Sequence, residues 1–68
     1  MDIQIVINGE TQCIPEGQTV LDLLQRLHLD PARVAVELDR RIVKQPNWNE
    51  TAVNAGAQIE IVQFVGGG

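Results

Sequence analysis

The chain has 68 residues, of which 44% are apolar, nine are acidic and five are basic. This length predicts a single domain over residues 1–68, and the apolar fraction is too high for a disordered peptide. The net charge of −4 disfavours nucleic acid as a partner, because phosphate binding requires a basic face. One cysteine, Cys13, and one histidine, His28, are too few for an internal disulfide or a Cys/His zinc site.

The sequence also predicts where the protein resides. It contains no run of about 18 apolar residues, so we expect no membrane span. Its first ten residues, MDIQIVINGE, lack the positive charge and the cleavage site of a signal peptide. We therefore expect a cytoplasmic protein in which Cys13 is a reduced, buried strand residue.

The chain begins with the pattern of a β-hairpin. Residues 2–8 alternate as in a half-buried strand, and one face carries Ile3, Ile5 and Ile7. Asn8 and Gly9 follow, a pair suited to the type I′ turn because both central residues of that turn need positive φ. We expect residues 10–14 to form the returning strand.

A helix is predicted next. Thr19 is the expected N-cap, and Asp22 completes a variant of the capping box. An apolar stripe at helical spacing is formed by Val20, Leu23, Leu24 and Leu27. Because Pro31 disfavours helical geometry at the residue before it, the helix should end near His28 or Leu29. A histidine in the last turn is favoured there by the helix dipole.

Three more strands are predicted, over residues 34–38, 42–43 and 58–65, with a tight polar turn at residues 39–41. Trp48, the single tryptophan, should cover one end of the core with its N–H turned toward a polar group. The order β-β-α-β-β-β predicts an α+β fold with a mixed sheet of four to five strands and one helix on one face. If the last strand lies beside the first, it is central to the sheet.

The last strand is apolar on both sides. Ile59 and Ile61 point one way, whereas Val62 and Phe64 point the other way together with Glu60. Since one helix can cover only one face, we expect exposed apolar surface on the other. Scattered exposure is common in proteins, but such patches also bind proteins. We predict that Val62 and Phe64 form a partner-binding face.

The final residues, Gly66, Gly67 and Gly68, allow three interpretations. They are a frayed end, an artificial addition, or a flexible tail that carries a reactive carboxylate. Glycine lacks a Cβ, so its backbone can enter a channel that is too narrow for side chains. Three extended residues reach roughly 10 Å. Ordering them costs about 3–6 kcal/mol, which contacts to the globular face would have to offset.

A carboxylate is a poor electrophile and must first be activated, for example as an acyl-adenylate made from ATP. The chain has no phosphate-binding GxxxxGK[ST] motif. We therefore expect activation in trans, with ATP and magnesium used by another protein. The chain itself is predicted to be a carrier and a substrate, with no catalytic residue, bound cofactor or metal of its own.

These segments carry a resemblance to a known family. PEGQTVLDLL at residues 15–24, VAVELDRRIV at 34–43, Trp48 and IEIVQFVGGG at 59–68 resemble the sulfur carrier proteins of thiamine biosynthesis, the ThiS family. That family belongs to the ubiquitin-like β-grasp superfamily, and the resemblance covers nearly the whole chain. It implies a β-grasp fold.

The resemblance also implies a reaction cycle. An adenylating, E1-like enzyme would convert Gly68 to a glycyl-adenylate, with Gly66 and Gly67 lying in the active site of that partner. Sulfur from a cysteine desulfurase or a persulfide carrier would replace AMP and leave a thiocarboxylate (1-thioglycine) on Gly68. Thiazole synthase would then take up the sulfur for the thiazole ring of thiamine.

Three alternatives remain open at the level of sequence. A molybdopterin-synthase small subunit shares the diglycine end and would co-purify with a large subunit. A ubiquitin-like modifier would join the same glycine to lysines of target proteins. A non-reactive interaction module would tolerate loss of the tail.

Overall fold

The computed structural model describes residues 1–65, so the predicted glycine tail at 66–68 lies outside the described residues. In chain order, the strands and the α-helix are β1 (Asp2–Ile7), β2 (Glu10–Pro15), α1 (Val20–Arg26), β3 (Val34–Leu38), β4 (Arg41–Val43) and β5 (Gln58–Gln63). Single turns of 3₁₀-helix occupy Pro31–Arg33 and Gln45–Asn47. The predicted order of elements is therefore confirmed.

The strands form one mixed sheet in the order β2-β1-β5-β3-β4. Strands β1 and β5 are parallel, and the other neighbours are antiparallel. The last strand is therefore central, between the first and the third. This confirms the α+β prediction of a mixed sheet with four to five strands. No helix within residues 1–65 is long and apolar enough to cross a membrane.

The core lies between α1 and one face of the sheet. Alternate residues of β1 and β5 point toward the helix, as the period of a strand requires. The helix contributes Val20, Leu23 and Leu24, and the strands and loops contribute Ile5, Ile7, Ile14, Val34, Val36, Trp48, Val53, Ala57, Ile59 and Ile61. The opposite face of the sheet, called the outer face below, has no described element packed on it.

The N-terminus of α1 has the predicted capping box. Thr19 Oγ1 accepts a hydrogen bond from the Asp22 N–H at 3.1 Å, and the Thr19 N–H donates to Asp22 Oδ2 at 2.9 Å. The next N–H group also has a partner, because Val20 donates to the Thr51 carbonyl at 2.9 Å. The helix start is thus attached to the loop that precedes β5.

The C-terminus of α1 differs from the prediction. The helix ends at Arg26, earlier than predicted, and His28 lies beyond the last turn with φ of 58°. The Leu29 N–H donates to the Leu24 carbonyl and the His28 N–H to the Gln25 carbonyl, the pair of bonds that defines a Schellman motif. The left-handed conformation of His28 ends the helix before Pro31 can influence it.

Replacing His28 with glycine is expected to stabilise the fold by about 0.5–1 kcal/mol. A left-handed residue with a Cβ is strained by roughly 1–2 kcal/mol, and the greater freedom of glycine in the unfolded chain offsets part of the gain. Urea denaturation measures the change. Gln25→Gly, inside α1, is the control and should lower stability. A lower denaturation midpoint for His28→Gly would contradict the strain.

The prediction that Cys13 is buried is wrong. Cys13 is exposed on the outer face, where it pairs with Gln4 across the β1–β2 hairpin. The neighbouring residue Ile14 pairs with Ile3 and lies in the core. Because side chains alternate along a strand, an inward Ile14 requires an outward Cys13.

Trp48 lies where the sequence predicted. Its side chain is buried in the core, and its indole Nε1–H donates to the Val43 carbonyl at 2.7 Å. The hydrogen bond satisfies the one polar atom of the ring, so the rest of the indole can close the end of the core at low cost.

Candidate functional site

The candidate site is the C-terminal half of β5 with the outer face beside it. Asp39 is hydrogen-bonded to Gln58, the first residue of strand β5. The Gln58 N–H donates to Asp39 Oδ1 at 2.9 Å, and the Asp39 N–H donates to the Gln58 carbonyl at 2.8 Å. Asp39 has φ of 50° and starts the two-residue turn between β3 and β4. The start of β5 is therefore attached to the neighbouring hairpin.

Asn8 holds β5 from the other side. Its Nδ2 donates to the Ile61 carbonyl at 3.2 Å, and its Oδ1 accepts from the Ile61 N–H at 2.8 Å. The Asn8 N–H also donates to the Ile59 carbonyl. Asn8 has φ of 49° and turns the backbone away from the sheet. Its side-chain amide thus continues the β1–β5 pairing one step beyond the point where the β1 backbone leaves.

The sequence pattern predicted only the turn at Asn8 and not this contact. Residues 8 and 61 are 53 positions apart, and the Asn-Gly pair is fully accounted for by the hairpin. No local pattern could have revealed that the same amide also binds a strand from the other end of the chain.

Phe64 forms the last described backbone hydrogen bond of the chain. Its N–H donates to the Arg33 carbonyl at 2.6 Å, just after β5 ends at Gln63, which is earlier than the predicted Val65. Val65 is 95% exposed. Four residues follow this anchor, at positions 65–68, and four residues can extend at most about 13–14 Å. The predicted site residues Gly66, Gly67 and Gly68 are outside the described residues.

The two residues predicted for the partner-binding face lie on the outer face. Val62 is 57% exposed and Phe64 is 54% exposed. Val62 is directly opposite Ala35 on β3. Ile42 on β4, which the sequence analysis did not single out, is 76% exposed. We call Ala35, Ile42, Val62 and Phe64 the outer patch.

The outer patch is continuous and partly concave. A shallow groove of about 130 Å³ is lined by Ala35, Ile42 and Val62, and also by Glu37 and Glu60. A second groove of about 350 Å³ includes Ala35, Ile42 and Phe64 in its lining, together with core residues such as Trp48 and residues of the two 3₁₀ segments. The exposed apolar residues therefore adjoin one another beside the end of β5 and are not scattered over the surface.

Two carboxylates lie beside the outer patch. Glu37 and Glu60 are directly opposite each other on β3 and β5, so their Cβ atoms are about 5 Å apart. Within residues 1–65 the single ion pair joins Arg33 to Asp30, at 3.6 Å, and leaves both glutamates without a cationic partner. Like charges in this position destabilise a sheet.

Replacing Glu60 with glutamine is expected to raise the free energy of unfolding by about 0.2–1 kcal/mol, because it removes the repulsion from Glu37. Urea denaturation at low salt measures the gain. Glu50→Gln, in the exposed loop, changes the net charge equally and should have little effect. At about 1 M salt, where the Debye length is near 3 Å, the gain should shrink. A gain that is insensitive to salt would refute repulsion as the cause.

The described residues contain no group of three or more His, Cys, Asp or Glu side chains that could hold a metal ion. What the site offers is the end of a central strand, a short segment that leaves it, and an adjoining apolar surface. Such an arrangement can present the end of a chain to another protein while the surface holds that protein in place.

Comparison with known proteins places this geometry in a family. A protein named thiazole synthase, from Paramagnetospirillum magneticum, is 42% identical over 66 residues, which are 97% of this chain but 20% of that relative. The chain thus spans about a fifth of the length of that relative. The "Sulfur carrier protein ThiS" of Escherichia coli K12 is 33% identical over 97% of this chain and 100% of its own length.

The fold agrees with a solved structure. The crystal structure of the thiamine biosynthesis protein ThiS from Geobacter metallireducens matches with a TM-score of 0.79 and 27% identity, over 97% of this chain and 100% of that chain. The match confirms the β-grasp fold that the resemblance implied. The model of the ThiS family matches residues 5–68. With that match and a relative aligned over its full length, this chain belongs to the ThiS family.

Proposed function

We propose that this chain is a sulfur carrier protein. In this proposal the carboxylate of Gly68 is adenylated, is converted to a thiocarboxylate, and donates its sulfur for thiazole formation in thiamine biosynthesis. The observation that carries the proposal is the position of β5. It is the central strand, held by Asn8 and Asp39, and it leads directly to the three glycines.

The chemistry requires the glycines to enter the active site of another protein. Residues 65–68 follow the Phe64 anchor. Fully extended, they reach about 13–14 Å, which can carry the Gly68 carboxylate from the surface of this chain into the active site of a bound enzyme. Glycine at 66 and 67 allows the backbone to pass where a side chain would not. The hydrogen bond of Phe64 to Arg33 fixes the point from which this reach is measured.

Activation takes place in trans. An E1-like enzyme uses ATP and magnesium, and pyrophosphate leaves as the Gly68 carboxylate becomes an acyl-adenylate. The terminal sulfur of a persulfide, supplied by a cysteine desulfurase or a persulfide carrier, then displaces AMP and forms an acyl disulfide. A thiol reduces that disulfide, which releases the thiocarboxylate and leaves the thiol oxidised as a disulfide. The chain acts as a substrate and carrier in these steps, and no catalytic residue is assigned to it. We place the cycle in the cytoplasm.

Thiazole synthase is the proposed acceptor. In Paramagnetospirillum magneticum, a protein of that name includes a segment similar to this chain within one polypeptide. A covalent link between two domains raises their effective concentration, which benefits domains that must meet in every catalytic cycle. The fusion therefore supports the pairing of a separate carrier with a separate thiazole synthase.

The deciding experiment is intact-mass measurement on the chain from thiamine-starved cells. A fraction of the molecules should carry sulfur in place of one oxygen, and fragmentation should locate the change at Gly68. Localisation is essential, because the nominal mass change equals that of one added oxygen, and Met1 is 98% exposed and open to oxidation.

The Cys13→Ser variant is the matched control. Cys13 is exposed and could hold a persulfide, but a persulfide is removed by dithiothreitol, whereas a thiocarboxylate survives. The modified fraction should be the same in wild type and Cys13→Ser, and deletion of Gly68 should abolish it. If Gly68 is found joined to lysines and never as a thiocarboxylate, the carrier proposal is wrong.

A further inference from the structure

Strand β5 offers its backbone groups to the two neighbouring strands in strict alternation. The Phe64 N–H bonds to Arg33 and the Asp39 N–H bonds to Gln58. The β3–β5 register therefore makes the even-numbered residues of β5 the hydrogen-bonded ones on the β3 side. The odd-numbered residues of β5 direct their N–H and C=O groups toward β1.

On the β1 side, the pairing ends before β5 does. Ile59 bonds to the Asn8 backbone, and Ile61 bonds to the Asn8 side chain. The next odd-numbered residue is Gln63, and it is exposed. The β1 backbone has turned away at Asn8 and Gly9, so no strand within residues 1–65 lies opposite the N–H and C=O of Gln63.

We propose that this short edge receives a strand from the adenylating enzyme. An extended segment of that enzyme would lie beside β5, next to the Asn8 amide, and pair with the N–H and C=O of Gln63 and then with the backbone of Val65. Strand addition of this kind obtains affinity from main-chain bonds and specificity from alternate side chains. The inference rests on the proposed function and adds the mode of recognition.

The position of the edge favours this occupant. It is continuous with residues 65–68, which must run into the enzyme, so a segment of the enzyme has to accompany the chain there. The flanking side chains Val62 and Phe64 belong to the outer patch, so one partner could use both surfaces.

A second copy of the chain fits less well. The edge extends only from Gln63 to Val65 in the described residues, which is too short for the area that a stable interface buries. Two chains of net charge −4 also repel each other. The position of the edge therefore favours the adenylating enzyme, and the net charge disfavours a second copy.

Hydrogen exchange tests the inference on the full chain. In the ¹⁵N-labelled protein alone, the Gln63 amide should exchange much faster than the Ile61 amide, which Asn8 holds. Addition of the adenylating enzyme without ATP should slow exchange at Gln63 about tenfold or more, with little change at Ile61. If Gln63 stays fast in the saturated complex, the inference is wrong. Protection that rises with the chain's own concentration, without enzyme, would point to self-association and overturn it too.

A matched pair of variants tests the energetic contribution. Gln63→Pro removes the N–H that faces the open edge, where proline is tolerated, and should weaken binding to the enzyme about two- to tenfold, the effect of one hydrogen bond. Gln63→Ala changes only the side chain and should bind as wild type does. Equal affinity of both variants would contradict strand addition.

A failure of the strand-addition proposal can be distinguished from a failure of the proposed function. Pyrophosphate release from wild-type chain and ATP reports adenylation itself, whatever the mode of docking. If wild type is adenylated and Gln63→Pro is bound and adenylated equally well, only the strand addition fails. If Gln63→Pro does not fold, an ester in place of the Val62–Gln63 amide removes the same N–H, and the exchange measurement on wild type decides the question independently.

Discussion

Replacing Gly67 with valine is expected to reduce adenylation of Gly68 by about a hundredfold or more. A branched side chain next to the reacting residue cannot follow the backbone into a narrow channel, and a displacement of about 1 Å from the reactive geometry can alone cost about 10²-fold in rate. The fold should be unaffected, because the core residues identified within residues 1–65 belong to the sheet, α1 and the loop before β5. Pyrophosphate release with the adenylating enzyme, ATP and magnesium measures the rate.

Two controls separate channel width from other causes. Gly67→Ala adds a single methyl group and should give an intermediate rate. Val65→Thr changes an exposed side chain closer to the sheet at nearly constant shape and should be adenylated at close to the wild-type rate. If Gly67→Val releases pyrophosphate as fast as wild type, the partner's active site is wide enough for side chains and the narrow-channel account is wrong.

Most of the fold could be predicted because its signals are local. The alternation of Ile3, Ile5 and Ile7, the Asn8-Gly9 turn, and the box formed by Thr19 and Asp22 each depend on residues within a few positions of one another. All of them are present in the structure. The central place of β5 was expected only if the last strand lies beside the first, and the structure shows that pairing.

Two predictions were wrong, the burial of Cys13 and the end of α1. The first depends on a contact between separate strands, and the second was assigned from the wrong residue. Cys13 was predicted to be buried because a single cysteine has no disulfide or zinc partner, and only the pairing of β2 with β1 sets which residues face inward. The end of α1 was predicted from Pro31, whereas the left-handed backbone of His28 ends the helix at an earlier residue. Residues other than glycine seldom adopt that conformation, although histidine does so more often than most, and the prediction did not consider it.

For the candidate site, the sequence predicted that Val62 and Phe64 are exposed but not how the exposed residues are arranged. Val62 and Phe64 were identified because alternate residues of a strand point to opposite faces of the sheet. Ile42 was not, because a short strand of three residues does not reveal its orientation. Two further features depend on the register of three strands, which only the structure shows. They are the hydrogen bonds of the Asn8 side chain to Ile61 and the unpaired edge at Gln63.

Replacing Phe64 with serine is expected to weaken docking on the adenylating enzyme by about tenfold or more, while the folded state loses only about 1 kcal/mol. Burying a phenylalanine side chain completely stabilises a fold by about 1.5–3 kcal/mol. Phe64 is 54% exposed, so its truncation should cost roughly half of that amount. Aromatic residues at the centre of an interface commonly contribute more than that to binding. The affinity of the folded fraction, from calorimetry or fluorescence, is compared with the midpoint of thermal unfolding.

The control variants locate the docking surface. Ile42→Ser changes the outer patch at its other end and should also weaken docking, because its 76% exposed side chain contributes little to the core. Gln25→Ala lies on the exposed side of α1, across the sheet from the patch, and should leave affinity unchanged. A large drop in thermal stability for Phe64→Ser with unchanged affinity of the folded fraction would assign Phe64 to the core. Docking would then depend on the tail and the edge at Gln63, and the outer patch would have no part in it.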